Sequence, residues 1–193
     1  MKFRVLFLIF LITSFSSIIS QVKQEQELRI DKKEFPSNAI KTLEPYLVNT
    51  KKVKYYKEFD TEKTSYEAKF KKDRLKYSVE FNEDGILEDI EFIIHKIDIP
   101  ESTLESISSY LSLNHKKYKI KKIQQQYLNK NNNAKETLKV AFQNLILKKV
   151  NYELIVSSKS NSGFSEYEIL FNADGKHILS RKSIKTKYDH ILY

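Results

Sequence analysis

Cysteine is absent from this sequence, and glycine and proline are scarce, with three of each among 193 residues. Without cysteine the chain cannot form a disulfide, a thiolate metal site, a cysteine nucleophile or a lipid-modified N-terminal cysteine. So little glycine and proline argues against long flexible linkers, and glycines as far apart as Gly85, Gly163 and Gly175 cannot form a phosphate-binding loop. We therefore expect stability to come from a sheet and its helices.

Residues that would carry catalysis or bind a metal form no recognisable pattern. The histidines lack the i, i+4 spacing that places two ligands on one helix face, and the serines lack a nucleophile-elbow context. The Asp-Gly pairs lack the alternating acidic ligands of a calcium loop. The four histidines are His95, His115, His177 and His190. The sequence therefore predicts a protein that is not an enzyme and that uses neither a metal nor another cofactor.

The N-terminus has the pattern of a secretory signal peptide. Lys2 and Arg4 precede an apolar run from Val5 to Ile12, and small polar residues then continue to Ser20, where we expect cleavage. The alternative is a transmembrane anchor, which is disfavoured because the run is shorter than the roughly 20 residues that a spanning helix needs. We expect a periplasmic or secreted protein, with residues 21–33 forming a polar, poorly ordered leader.

Two related stretches indicate half-buried strands that enter tight turns. In Tyr77–Gly85 (YSVEFNEDG) and Tyr167–Gly175 (YEILFNADG), aromatic and aliphatic residues alternate with polar ones before an Asp-Gly pair. Glycine takes a positive φ at no steric cost, and Asn or Asp can bond to the local backbone, so each pair predicts a hairpin corner. The predicted structural turns are Asp84, Gly85, Asp174 and Gly175.

The order of elements predicts an α+β fold made by tandem duplication. In each half, apolar residues at helical spacing follow a proline, Pro36 or Pro100, and period-two alternation follows the helix. Each repeat is expected to be a helix followed by a four-stranded antiparallel β-meander, with the helix packed on one sheet face. Whether the repeats share one sheet or form separate lobes stays open. The predicted segments are a signal peptide at 1–20, a leader at 21–33, repeats at 34–97 and 98–184, and a tail at 185–193.

The second repeat contains an insertion whose secondary structure is ambiguous. Leu138, Ala141 and Leu145 share one helical face after a run of asparagines, which favours a helix near residues 133–147. Leu138, Val140 and Phe142 also alternate, so a strand is the alternative.

The paired repeats resemble a known family. The Tyr-x-aliphatic-x-Phe-x-x-Asp-Gly hairpin, present twice, looks like that of the PepSY-like proteins of Bacteroidetes, whose fold is similar to the beta-lactamase inhibitor protein. The resemblance covers roughly Glu34 to Ile184 and implies an extracytoplasmic domain that binds a protein or peptide. It carries no catalytic residue to this chain.

Positive charge is the second functional signal. Lysine and arginine outnumber the acids 34 to 25, for a net charge of +9, and lysine doublets fall mostly at predicted strand ends or loops. Such lysines solubilise loops and edges, and they could also attract anionic lipid or glycan at the envelope surface. Nucleic acid would suit the same charge, but export makes it an improbable partner.

The sheet face opposite the helices is the leading candidate for binding. Alternation places charged and aromatic side chains there, which predicts a broad, exposed polar face of the kind that protein interfaces use. The predicted protein-binding residues are Tyr56, Lys69, Glu80, Glu91, Glu168 and Leu170. The sequence thus predicts a non-catalytic binding protein, inhibitory or regulatory towards an envelope or secreted protein; the alternative is the lysine-rich binder of lipid or glycan.

Overall fold

A computed structural model describes residues 21–183 apart from 24, 61–62, 132, 147–148 and 161–162. The predicted signal peptide at 1–20 and the predicted tail at 185–193 lie outside the described residues. The α-helices are α1 (Ser37–Leu43), α2 (Glu101–Asn114) and α3 (Ala134–Phe142). The strands are β1 (Gln21–Lys23), β2 (Glu25–Ile30), β3 (Lys51–Asp60), β4 (Lys63–Lys72), β5 (Leu75–Asn82), β6 (Leu87–Ile93), β7 (Tyr118–Leu128), β8 (Val150–Ser160), β9 (Gly163–Asn172) and β10 (His177–Ser183).

The strands form one continuous sheet, in which β2 to β10 are antiparallel neighbours in chain order. The predicted fold class, a tandem duplication of a helix and a four-stranded meander, is therefore wrong. The two halves meet where β6 pairs with β7, with Ile90 opposite Tyr127. Local alternation specifies which face of a strand is apolar but not which strand lies beyond its edge, so this pairing could not be read from the sequence.

The N-terminal segment connects the two edges of the sheet. β1 pairs in parallel with β10, whereas β2 pairs with β3 at the opposite edge, although only Gln24 separates β1 from β2. Across this seam, Nη1 of Arg181 lies 3.9 Å from Oδ2 of Asp60. The sheet must therefore curl until its edges meet. The expectation of a poorly ordered leader is wrong for this segment, because its backbone pairs with the edge strands.

The core lies between one sheet face and the three helices. On this face the strands contribute buried side chains at alternate positions, including Val79, Phe81 and Ile90. The helices contribute apolar stripes that are fully buried: Ala39 and Leu43 in α1, Ile107 and Leu111 in α2, and Leu138 and Ala141 in α3. Among the described residues, every helix is too short or too polar to cross a membrane.

The two Asp-Gly turns have the same geometry. The Asn82 side-chain oxygen accepts hydrogen bonds from the backbone N–H of Asp84 (3.0 Å) and Ile86 (2.9 Å). The Asn172 oxygen does the same for Asp174 (3.0 Å) and Lys176 (2.8 Å).

The glycines of these turns have φ +75° and lie directly against helix N-termini. A Cβ atom at Gly85 would lie 2.8 Å from the backbone nitrogen of Ala39, and one at Gly175 would lie 2.5 Å from the carbonyl oxygen of Thr103. The Thr103 hydroxyl also donates a 2.8 Å hydrogen bond to the Ala173 carbonyl. Each turn thus contacts the N-terminal part of one helix and fixes the position of that helix on the sheet.

The insertion is helical over Ala134–Phe142. The Asn133 side chain caps it by accepting a hydrogen bond from the backbone N–H of Glu136. The Phe142 ring packs 5.1 Å from the Tyr77 ring and 5.3 Å from the Tyr46 ring, so α3 is attached to the first half of the sheet.

Candidate functional site

The sheet face opposite the helices, here called the polar face, carries charged and amide side chains in cross-strand rows. Tyr56, Glu67, Glu80 and Asp89 follow one another across β3, β4, β5 and β6. Two residues further along β6, Glu91 begins the next row. That row continues through Gln126 on β7 to Asn151 on β8, and the row beside it contains Gln124, Glu153 and Leu170 on β7, β8 and β9.

The polar face is less exposed than the sequence predicts. Tyr56 is only 3% exposed and Glu67 and Gln126 are each 9% exposed, although the described helices pack on the other side of the sheet. The prediction of a broad, exposed face is therefore wrong. Curling of the sheet explains the burial, because strands that bend towards one another shield the face on their inner side.

Lys69 lies at the centre of an acidic group near β2. Its ammonium nitrogen is 2.7 Å from Glu67 Oε2, 2.8 Å from Glu27 Oε2 and 3.9 Å from Glu58 Oε1. It also lies 5.0 Å from the centroid of the Tyr56 ring, which is a cation–π distance. The three carboxylates approach closely enough to hold a metal ion. Lys69 already supplies positive charge among them, so we assign this group as an internal ion-pair network.

A second group on β6 and β7, here called the amide–carboxylate cluster, contains Asp89, Glu91, Gln124 and Gln126. The Gln126 amide nitrogen donates to Asp89 Oδ2 (3.0 Å) and to Glu91 Oε1 (3.1 Å), and its oxygen accepts from Asn151 (3.1 Å). The Gln124 amide nitrogen donates to Glu91 Oε2. Neutral amides therefore hold both oxygens of Glu91 in place.

The negative charge of the carboxyl groups in this cluster is poorly compensated by positive charge nearby. Burial, reinforced by Glu153 and Asp89, raises the pKa of Glu91 well above its usual range, and Lys122 opposes this shift. Burial, reinforced by Glu80 and Glu153, likewise raises the pKa of Asp89 well above its usual range. Hydrogen bonds from amides bring no positive charge, so the centre of the polar face favours an added proton or cation.

The six predicted binding residues all lie on the polar face, but in different surroundings. Tyr56 is buried beside Lys69, and Glu80 is 3.3 Å from the ammonium of Lys63. Glu91 belongs to the amide–carboxylate cluster. On β9, Glu168 and Leu170 are half-buried, with Arg181 and Glu153 as their respective neighbours on adjacent strands.

Sequence reasoning missed Gln124 and Gln126 as site residues. Period-two spacing places both on the same face as Glu91 once β7 pairs with β6. The available signal was the Gln124-Gln125-Gln126 run inside a strand, where uncharged amides suit a partly buried polar surface.

Exposed lysines collect at one end of the sheet, here called the lysine rim. β3 and β5 begin at this end, β4 ends there and β7 begins there, since neighbouring strands are antiparallel. Lys51 pairs in register with Lys71, which pairs in register with Lys76. The rim consists of Lys51, Lys71, Lys76, Lys116, Lys117 and Lys119, all exposed.

Solved structures share this fold. A DUF2874 family protein from Bacteroides ovatus is 13% identical, with a TM-score of 0.55 over 81% of this chain and 93% of that chain. A proposed periplasmic protein from Bacteroides eggerthii is 10% identical, with a TM-score of 0.51 over 77% of this chain and 88% of that one. A BLIP-like protein from Bacteroides fragilis is 13% identical, with a TM-score of 0.49 over 80% and 92%.

Comparison of the sequence with family models and with curated proteins finds no match. The PepSY-like assignment therefore stays a prediction. The chain has the fold of the DUF2874 family protein, and at this identity the likeness concerns the fold alone.

Proposed function

We propose that this is an exported, non-catalytic binding protein whose polar face holds a segment of another envelope or secreted protein, with an inhibitory or regulatory effect on that partner. The observation that carries the proposal is the amide–carboxylate cluster, in which the half-buried carboxylates of Asp89 and Glu91 are held by buried amides on a face that the described helices leave uncovered. The similar fold of a proposed periplasmic protein supports the location.

The energetics of the polar face favour a binding role over a purely structural one. Burying a carboxylate is costly unless a cation compensates it, and replacing such polar groups with apolar ones is often stabilising. Asp89 and Glu91 have raised pKa values, so their charged forms destabilise the folded chain. Residues that lower stability in this way are frequently found at binding and catalytic sites.

The lysine rim supports a second candidate function, binding of anionic lipid or glycan at the envelope surface. Register between Lys51, Lys71 and Lys76 brings three exposed lysines to the same end of adjacent strands. Clustered charge of one sign attracts an anionic surface, with an affinity that falls steeply as salt screens it.

Affinity capture with paired variants tests the first proposal. The protein would be produced with its own N-terminal segment and a C-terminal tag, and captured from envelope and culture fractions at low and high salt. The test variant carries Glu168→Gln and Leu170→Ala, which are half-buried on the polar face. The control carries Glu105→Gln and Leu113→Ala, which are exposed on α2.

A partner that persists at high salt, is lost with the test variant and is kept by the control supports binding through the polar face. Equal capture by all three proteins contradicts it. In parallel, vesicles containing phosphatidylglycerol would be mixed with wild type and with a Lys51→Gln, Lys71→Gln, Lys76→Gln variant. Salt-sensitive binding that the triple variant loses would favour the lysine rim instead.

A further inference from the structure

We infer that the partner inserts a basic side chain, arginine or lysine, into the polar face, where the side chain pairs with Glu91 and donates an N–H hydrogen bond to the side-chain oxygen of Gln124. This inference rests on the proposed function and specifies the chemistry of the partner at that same face.

Gln124 supplies the observation that points to a ligand. Its side chain is 7% exposed, and its amide nitrogen donates to Glu91. Its amide oxygen is buried and has no hydrogen-bond partner within the described part of the chain. A buried acceptor without a donor lowers stability, so an incoming N–H group would be stabilised there.

Charge points to the same kind of ligand. Glu91 and Asp89 are adjacent on one strand face, and Glu153 raises the pKa of both. Neither Glu91 nor Asp89 forms an ion pair within the residues that the structure describes. A ligand that combines positive charge with N–H donors would satisfy the carboxylates and the Gln124 oxygen together.

A basic side chain fits this cluster better than a metal ion does. Among the described residues, Glu27, Glu58 and Glu67 are the one set of three carboxylates close enough to share a metal, and they already contact Lys69. That arrangement shows how the same face accommodates an ammonium group, with carboxylates around it and the Tyr56 ring 5.0 Å away. A guanidinium would offer five N–H donors to the amide–carboxylate cluster.

The test uses a fluorescent peptide, Gly-Arg-Gly-Arg-Gly, with Gly-Glu-Gly-Glu-Gly as the acidic control. Binding to the full chain would be measured by fluorescence anisotropy at low salt. Glu91→Gln and Gln124→Met are the test variants, and Glu105→Gln on α2 removes the same charge from an exposed position. Thermal unfolding of each variant verifies that it is folded.

The inference predicts that wild type binds the arginine peptide and not the acidic one. Glu91→Gln and Gln124→Met should each weaken binding about tenfold or more, the loss expected for a charge-assisted hydrogen bond, whereas Glu105→Gln should stay within about twofold. Absence of arginine-peptide binding, or equal weakening by Glu105→Gln and Glu91→Gln, would overturn it.

The capture experiment separates this inference from the proposed function. A partner that is lost with Glu168→Gln and Leu170→Ala but kept by Glu91→Gln would leave the binding function standing and overturn the basic-side-chain inference. A partner kept by every polar-face variant would overturn both.

Discussion

The ammonium of Lys69 lies 2.7 Å from Oε2 of Glu67, and the two side chains are only 17% and 11% exposed. Lys69→Met would leave Glu67 and its neighbours Glu27 and Glu58 without their shared cation. We expect the free energy of unfolding to fall by about 3–5 kcal/mol at neutral pH, as when one partner of a buried ion pair is removed. Urea denaturation measures the change.

Lys71→Met is the matched control, since Lys71 is exposed on the same strand and face. It should change stability by about 0.5 kcal/mol or less. Adding Glu67→Gln to Lys69→Met should recover part of the loss by removing one uncompensated charge. Equal effects of Lys69→Met and Lys71→Met would show that the ion-pair network does not stabilise the fold.

Gly175→Ala should be destabilising by at least about 2 kcal/mol. The residue has φ +75°, and the new Cβ would lie 2.5 Å from the Thr103 carbonyl oxygen and 2.8 Å from Cβ of Ser106. The conformation alone costs about 1–2 kcal/mol for a residue with a side chain, and the contact with α2 adds to this. Thermal or urea unfolding measures the loss.

Gly163→Ala is the control because its φ is also positive, +116°, while no atom lies within 4 Å of the added Cβ. The loss at Gly163 therefore measures backbone strain without a packing contact, at a φ that is less favourable than that of Gly175. A loss for Gly175→Ala within the ~1–2 kcal/mol expected from conformation alone would show that close packing of the turn against α2 adds nothing.

Glu91→Gln should stabilise the protein increasingly as pH rises. Burial raises the pKa of Glu91 above the ordinary value of 4.5, with Glu153 and Asp89 acting in the same direction and Lys122 against them. The folded state therefore binds this proton more tightly than the unfolded state does. The stabilisation that comes from this bound proton is complete below pH 4.5 and is lost as pH rises through the pKa of Glu91 in the folded state.

The pH prediction is tested by unfolding wild type and variant in urea between about pH 4 and pH 8, around the ordinary carboxyl range. The two free energies should differ least at the acid end and diverge towards neutrality. Glu105→Gln, at an exposed position on α2, should show no such divergence. Parallel curves for wild type and Glu91→Gln would contradict a raised pKa.

Leu138→Ala should lower the free energy of unfolding by about 2–5 kcal/mol, because Leu138 is fully buried where α3 packs on the sheet. Leu113→Ala, at a position that is 86% exposed on α2, should change it by about 0.5 kcal/mol or less. Calorimetry measures both. A small effect of Leu138→Ala would mean that α3 is not part of the cooperative core.

Local features of the structure follow closely from the sequence. The alternation of Tyr77, Val79 and Phe81 specifies a strand with one apolar face, and the structure buries all three on that face. The Asn-x-Asp-Gly segments lie at tight turns because the asparagine oxygen and the glycine conformation act within five residues. The helix after Asn133 depends on similarly local capping.

The candidate site was only partly accessible to sequence reasoning. Period-two spacing suffices to place Glu80 and Glu91 on one face of the sheet. The burial of Tyr56 was not foreseen, since exposure depends on how strongly the whole sheet curls. The roles of Gln124 and Gln126 were also missed, because they follow from the pairing of β7 with β6.

Strands β3 to β10, their apolar faces and the turn positions follow from the sequence, because these features depend on residues within a few positions of one another. Tertiary packing sets the pairing of the strands into one sheet, the connection of its edges by the N-terminal segment, and the cluster that brings Asp89, Glu91 and Gln124 together. Backbone hydrogen bonds between strands are the same for every side chain, so residues distant in sequence find their partners only when the whole chain packs.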